Sequence, residues 1–214
     1  ALVEQAPAVW SVDASPADAI SIGLKTLLKN DPPDFVISGA NFGQNLGSNA
    51  FLSGTVGAAM MAVLSGVPAI AISVGIDLEE NHAEPVRFPS TVAAFPHAAS
   101  LTAKVLKQLL DGASGGILPP GTMLNINYPA RAEDEVKGIR WTRQGWAGGF
   151  VITYPEGDSG LRKSSIEIDA DGLGDEGADT AAFSAGYVTL SLLSPDWRAA
   201  AADAAAVQTR LMLK

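Results

Sequence analysis

Apolar and polar positions in this chain fall into short blocks that read in turn as strands and helices. Asp34 to Ser38, with Phe35, Val36 and Ile37 in succession, reads as a short buried strand. Gly54 to Ser65 reads as a helix closed by Gly66 and Pro68. Ahead of them, Ser15 with Asp18 three residues on has the form of a capping box, and Pro16 suits the first helical position. Ala17, Ile20, Leu24, Leu27 and Leu28 then make one apolar stripe, so an amphipathic helix is expected against a sheet. Ala69 to Val74 reads as a strand. A second helix is expected to start near Pro96, with Ala98, Leu101, Val105 and Leu109 on one face, and Met123 to Asn127 as a strand ending at Pro129. From Gly138 to Ile168 the character turns to β, with GIRWT, FVITY and SSIEI separated by turn residues. Pro195 to Lys214 is alanine-rich and reads as a helix with Ser194 as its cap. The alternation predicts an α/β fold on a parallel sheet.

The first strand and the helix after it lie in a stretch without charge, since nothing between Asp34 and Asp77 is ionisable, and they are joined by SGANFGQNLGSNAFLSGT. Such a loop follows the carboxyl end of a strand, where open α/β sheets collect ligands, and it leads into a helix amino terminus with unpaired N–H groups. Gly39, Gly43, Gly47 and Gly54 allow positive φ and close approach of a ligand to the backbone. Asn41, Asn45 and Asn49 recur every four residues and offer neutral donors together with carbonyl oxygens that suit a hard cation. Ser53 and Thr55 flank Gly54, so one hydroxyl can cap the helix while the other faces an oxyanion. The alternative is a Gly/Asn loop that merely turns the chain.

The string VISGANFGQNLGSNAFLSGTVGAAMMAVLSGVPAIAIS closely resembles the SurE-type survival-protein nucleotidases. SPADAISIGL, TMLNINYP, KGIRWTRQG and DTAAFSAGYVTLSLL resemble further blocks of that family in the same order. The resemblance implies a single domain over residues 1–214 with a Rossmann-like, three-layer αβα parallel sheet and a C-terminal helix. It also implies protruding β-hairpins at about 138–170 that pair subunits into a homodimer or homotetramer. It implies a metal-dependent phosphomonoesterase acting on nucleoside 5′- or 3′-monophosphates, with magnesium or manganese as cofactor. Asn41 matches the family's metal-ligating asparagine. Ser38, Gly39, Asn45, Ser53, Gly54 and Thr55 would cradle the phosphate, and Asn41, Ser53 and Thr55 would carry the chemistry. The compartment implied is cytoplasmic, with a periplasmic or exported location left open. The family's Asn-Asp-Asp-Gly metal motif has no counterpart here, which leads to the expectation that the amino-terminal metal-binding segment is missing.

Composition narrows these readings. A chain of 214 residues with 47% apolar content suits one compact domain, and no apolar run reaches the ~18 residues needed to span a bilayer. With 14 basic against 23 acidic residues, the net charge of −9 argues against polymeric nucleic acid. The absence of cysteine excludes disulfides and thiolate metal sites. Gly172 to Gly177 matches GxGxxG but opens no apolar helix, so it reads as a loop. Asp169, Asp171, Asp175, Glu176 and Asp179 lack calcium-loop spacing and read as a solvated acidic loop, with Asp179 in a family block as a structural residue. Arg143 and Gln144 reach either the rim of the site or a surface hairpin. Two functions from different classes stand: the nucleotidase, and a non-catalytic remnant that keeps the subunit-pairing surface and weak anion binding.

Overall fold

The computed structural model describes residues 1–112, 116–147, 150–156, 160, 165–168, 173–196 and 201–211. In chain order it contains β1 (Leu2–Ala6), β2 (Val9–Val12), α1 (Pro16–Ile22), β3 (Val36–Phe42), α2 (Gly54–Leu64), β4 (Ala69–Val74) and α3 (Pro89–Asp111). Then follow β5 (Met123–Tyr128), β6 (Ile139–Thr142), β7 (Phe150–Thr153), β8 (Ser165–Ile168), α4 (Asp179–Ser184), β9 (Val188–Leu193) and α5 (Ala201–Leu211).

A five-stranded sheet in the order β3-β4-β5-β9-β6 forms the middle layer. All six residues of β4 are buried because both of its faces are covered. On one face Val56, Ala59, Ala62 and Val63 of α2 meet Val36, Ala69, Ala71 and Met123, with Ile20 and Leu24 of the first helical segment alongside. On the other, Ala94 and Ala98 of α3, flanked by Leu101, Val105 and Leu109, cover Ile70, Ile72, Leu124 and Ile126. Each of these fully buried Ile and Leu side chains contributes roughly 1.5–3 kcal/mol. The fold is thus the expected Rossmann-like αβα arrangement.

The register prepares the site. Ser73 pairs with Asn41 and Asn127, Ala71 with Ser38 and Asn125, and Thr189 and Ser191 of β9 continue the two rows. The face under α2 is therefore apolar where the parallel strands begin, at Val36, Ala69 and Met123, and polar towards their carboxyl ends.

Four expectations need correction. The sheet is mixed: β3, β4 and β5 are parallel, β9 runs antiparallel to β5, and β6 is parallel to β9. A strand buried on both faces reads the same in either direction, so its sequence does not encode its sense. The GIRWT strand belongs to this sheet, tied to β9 at Val188 N–H to Gly138 O (2.9 Å); of the three expected strands β7 and β8 alone pair apart from it, antiparallel with Phe150 opposite Ile168, as β1 and β2 do at the front of the chain. The helix expected near Pro96 starts at Pro89, and Pro96 lies inside it. Pro89 loses no bond in the first turn, and Thr91 Oγ1 donates to Gly75 O at 2.8 Å, anchoring that turn on the end of β4. Ser194 Oγ accepts the Asp196 N–H at 3.2 Å in a local turn, and α5 spans Ala201–Leu211. Ser15 caps α1 as expected, its Oγ accepting the Asp18 N–H at 3.2 Å, while Asp18 Oδ2 accepts from the Ser15 hydroxyl at 2.7 Å and not from the backbone N–H of a capping box. Among the described residues no helix is long and apolar enough to cross a membrane.

Candidate functional site

The strand that opens the site, β3, approaches β4 more closely than side chains permit. Gly39 has φ +120°, and a Cβ there would sit 2.2 Å from the Ile72 carbonyl oxygen. The pairing register shifts between Ser38 and Asn41. Ser38 and Asn41 are half-buried, whereas the Gly39 backbone between them is exposed. Asn41 Nδ2 donates to Gly43 O at 2.7 Å, which commits the donor end of the amide within the loop and leaves Oδ1 as its acceptor end.

The second wall is the start of α2. Ser53 is its N-cap, with Oγ accepting the Val56 N–H at 3.2 Å. The first N–H groups of an 11-residue helix such as this, those of Gly54 and Thr55, have no partner within the helix, and its dipole favours an anion beside them. Gly54 also fits a close contact: a Cβ there would lie 2.9 Å from Pro16 Cγ, so the starts of α1 and α2 abut. Thr55 is half-buried at this junction.

The middle of the loop turns inward instead. Asn45 is buried; its N–H donates to Asn127 Oδ1 at 2.7 Å, its Nδ2 to Ser73 Oγ at 2.8 Å, and its carbonyl accepts from Asn125 Nδ2 at 2.9 Å. The loop thus lies over the polar half of the sheet face. Asn45, expected in the phosphate cradle, is spent on this network because its buried polar groups must find partners. Gly47 is held at both polar groups: its N–H donates to Asp179 Oδ2 at 3.0 Å, and its carbonyl accepts from Gln144 Nε2 at 2.7 Å.

Asp179 is fully buried, and its Oδ1 accepts the N–H groups of Gly145 and Thr180, each at 2.8 Å. Burial pushes its carboxyl above the usual range, while the N–H groups of Gly145, Gly47 and Thr180 pull it back. The Asp179 carboxyl oxygens therefore already take up these backbone donors, and an external anion is left with the outer half, from Gly39 to Asn41 and at the Gly54 and Thr55 N–H groups. Asp179 is the structural residue its place in a family block implied, and the solvated acidic-loop reading is left to its neighbours. It holds in part for exposed Asp175, which pairs with Arg143 and accepts the Gly177 N–H at 2.9 Å. Asp169, Asp171 and Gly172 lie outside the described residues. Of the two candidate rim residues, Gln144 reaches the loop and Arg143 does not.

Neither Asn127 nor Asn125, which hold the loop from below, stands out in sequence, because TMLNINYP reads as an ordinary alternating strand. Their signal is that alternation itself, which puts two amides on one buried face. A largely apolar cavity of ≈ 390 Å³ lies along α2, lined by Phe51, Val56, Met60, Leu64 and Leu193, with Ser194 and Gln144 as its polar side chains, the latter already donating to Gly47 O. Among the described residues no three His, Cys, Asp or Glu gather to hold a metal.

The profile of a family described as survival protein SurE matches residues 2–148. The chain belongs to this family. A 5′-nucleotidase SurE of Thermosynechococcus vestitus is 40% identical over 136 residues, covering 64% of this chain and 44% of the relative. One of Rhodopseudomonas palustris is 31% identical over 200 residues, covering 91% of this chain and 73% of its own length. The crystal structure of the SurE protein from Aquifex aeolicus superposes with a TM-score of 0.69 at 29% identity, covering 92% of this chain and 74% of that one. Over several of these matches the SurE-like chain spans about half the length of its relative. The αβα sheet with its glycine-rich loop is thus a SurE fold.

Proposed function

We propose that this chain is a phosphomonoesterase that hydrolyses nucleoside 5′- or 3′-monophosphates. One observation carries the reading: the uncharged loop that leaves the carboxyl end of β3, with its exposed Gly39 backbone, leads into α2, whose first N–H groups have no partner within the helix. The names of its relatives, 5′-nucleotidases, support the substrate class. In this reading the N–H groups of Gly54 and Thr55 and the Thr55 hydroxyl hold the phosphoryl oxygens and stabilise the charge that develops on them. Ser53 keeps those donors aimed by capping the helix. Ser38 and Gly39 form the floor, with Gly39 leaving room above the backbone. Assembly as a homodimer or homotetramer through the β7–β8 hairpin belongs to the same proposal.

A divalent ion, magnesium or manganese, would supply Lewis-acid chemistry. The described residues do not make its site: the Asn41 Oδ1 suits a hard cation, but one neutral oxygen does not displace the ion's water shell without carboxylates. This mismatch favours a second reading, a phosphate-binding and subunit-pairing protein without hydrolysis. Phosphate release from adenosine 5′-monophosphate, followed with manganese or magnesium in excess, separates the two. The nucleotidase reading expects turnover, reduced by roughly a hundredfold in Asn41→Ala. Wild-type turnover by Asn41→Ala at saturating metal removes Asn41 from the site. Binding of inorganic phosphate without any release selects the second reading.

A further inference from the structure

We propose that Asp179 is a positioning residue for the anion site: its buried carboxylate and the Gln144 amide clamp both backbone polar groups of Gly47 and so set the path of the loop into Ser53 and the start of α2. The inference rests on the phosphate-binding reading above, which it deepens by adding the residues that hold the site in place.

The geometry is specific. Gly47 begins the short 3₁₀ segment Gly47–Leu52, and Ser53 follows it directly as the cap of α2. Any movement of Gly47 is passed through that turn, closed by Asn49 N–H to Leu46 O (3.1 Å) and Ser53 N–H to Ala50 O (3.2 Å), to the helix start. The clamp comes from far along the chain: Gln144 is 97 positions and Asp179 132 positions beyond Gly47. Both are themselves fixed. The Asp179 N–H donates to Arg143 O at 2.9 Å, and the Arg143 N–H donates to Gly177 O at 3.0 Å, strapping the start of α4 to the end of β6. A side chain at Gly145 would crowd the clamp, since a Cβ would lie 2.9 Å from Thr180 Oγ1 and 3.1 Å from Asp179 Oδ1 and both groups would have to shift. A carboxylate suits this place because it offers only acceptors, and here it gathers backbone donors from three segments: Gly47, Gly145 and Thr180. An apolar residue of similar size would leave those donors unpaired.

The consequence separates this role from plain stabilisation of the core. The sheet does not depend on the clamp, because Ile70, Ile72, Leu124 and Ile126 are buried under α3 on its other face. Loosening Gly47 affects the anion site before it affects the sheet.

The test uses Asp179→Asn, which keeps one acceptor oxygen, and Gln144→Ala, which removes a single bond from a half-buried residue. Inhibition by inorganic phosphate, the KM and kcat for adenosine 5′-monophosphate, and hydrogen exchange of individual amides are measured on each. Both variants are expected to speed exchange at residues 47–56 while the β4 and β5 amides keep wild-type protection. Phosphate inhibition is expected to weaken about tenfold in Asp179→Asn and severalfold in Gln144→Ala, with KM rising more than kcat falls. Wild-type exchange and phosphate inhibition in both variants overturn the proposal. So does uniform loss of protection through β4 and β5 in Asp179→Asn with Gln144→Ala unchanged, which marks a structural role only. If the wild-type protein releases no phosphate from the nucleotide, the hydrolytic reading fails by itself; phosphate binding, followed by titration, and the exchange data still decide the clamp.

Discussion

At Gly39 a hydrogen stands where a methyl group would meet the Ile72 carbonyl oxygen at 2.2 Å, and the backbone has φ +120°. Gly57, one turn into α2, has nothing within 4 Å of its missing Cβ and an ordinary helical conformation. The same substitution should therefore act with opposite sign at the two sites. Gly39→Ala is expected to push β3 off β4, lower stability by at least about 2 kcal/mol and abolish phosphate inhibition. Gly57→Ala should raise stability by about 0.5–1 kcal/mol by narrowing the unfolded ensemble. Urea midpoints of the two variants check this, and equal shifts would remove the steric account of β3. The need for some glycine in this loop was legible from its composition. Which glycine meets a neighbouring backbone was not, because the clash is with a different strand.

Among the elements, α2 combines two jobs that mutation can separate. Its cap is local: Ser53 Oγ holds the Val56 N–H, and truncation to alanine should cost about 1 kcal/mol in thermal or urea unfolding. Thr55 makes no cap. Thr55→Ala is expected to leave the unfolding midpoint within about 0.5 kcal/mol of wild type while weakening inhibition by phosphate or vanadate. A Thr55→Ala variant with unchanged inhibition would move the anion elsewhere on the loop. The sequence supports a helix from Gly54 because glycine, hydroxyls and apolar spacing all lie within a few residues. It misplaces the start of α3 because two prolines compete for the first turn, and the choice falls to Pro89 through the bond from Thr91 to Gly75 at the end of β4.

For the molecule as a whole, the buried carboxylate ties stability to pH. Because the Asp179 carboxyl is raised in the folded state, the folded protein holds that proton more firmly than the unfolded chain does. The contribution of this group is fully present below the unfolded value and is lost as pH rises through the folded one. Its charged neighbours, Arg143 and Asp175, pair with each other and leave the carboxylate to backbone donors. Melting temperatures of wild type and Asp179→Asn compared from about pH 4 to pH 8 should show the wild-type advantage shrinking as pH rises. A constant difference would mean that the group does not titrate in that interval. The sequence by itself determined a helix opening at the Ser15 cap, a hydroxyl cap for α2, the mostly apolar β4 and a charge-free loop at a strand end, since each is written in residues a few positions apart; the apolar stripe from Ala17 to Leu28 outran α1, which ends at Ile22 with Leu28 left exposed. Tertiary structure alone decided that β9 runs antiparallel and that β6 joins the central sheet. It also decided that Asn45 turns inward and that the partner of the structural Asp179 is Gly47. These outcomes depend on hydrogen-bond partners 82 and 132 positions away, which no local pattern of hydrophobicity or charge can specify.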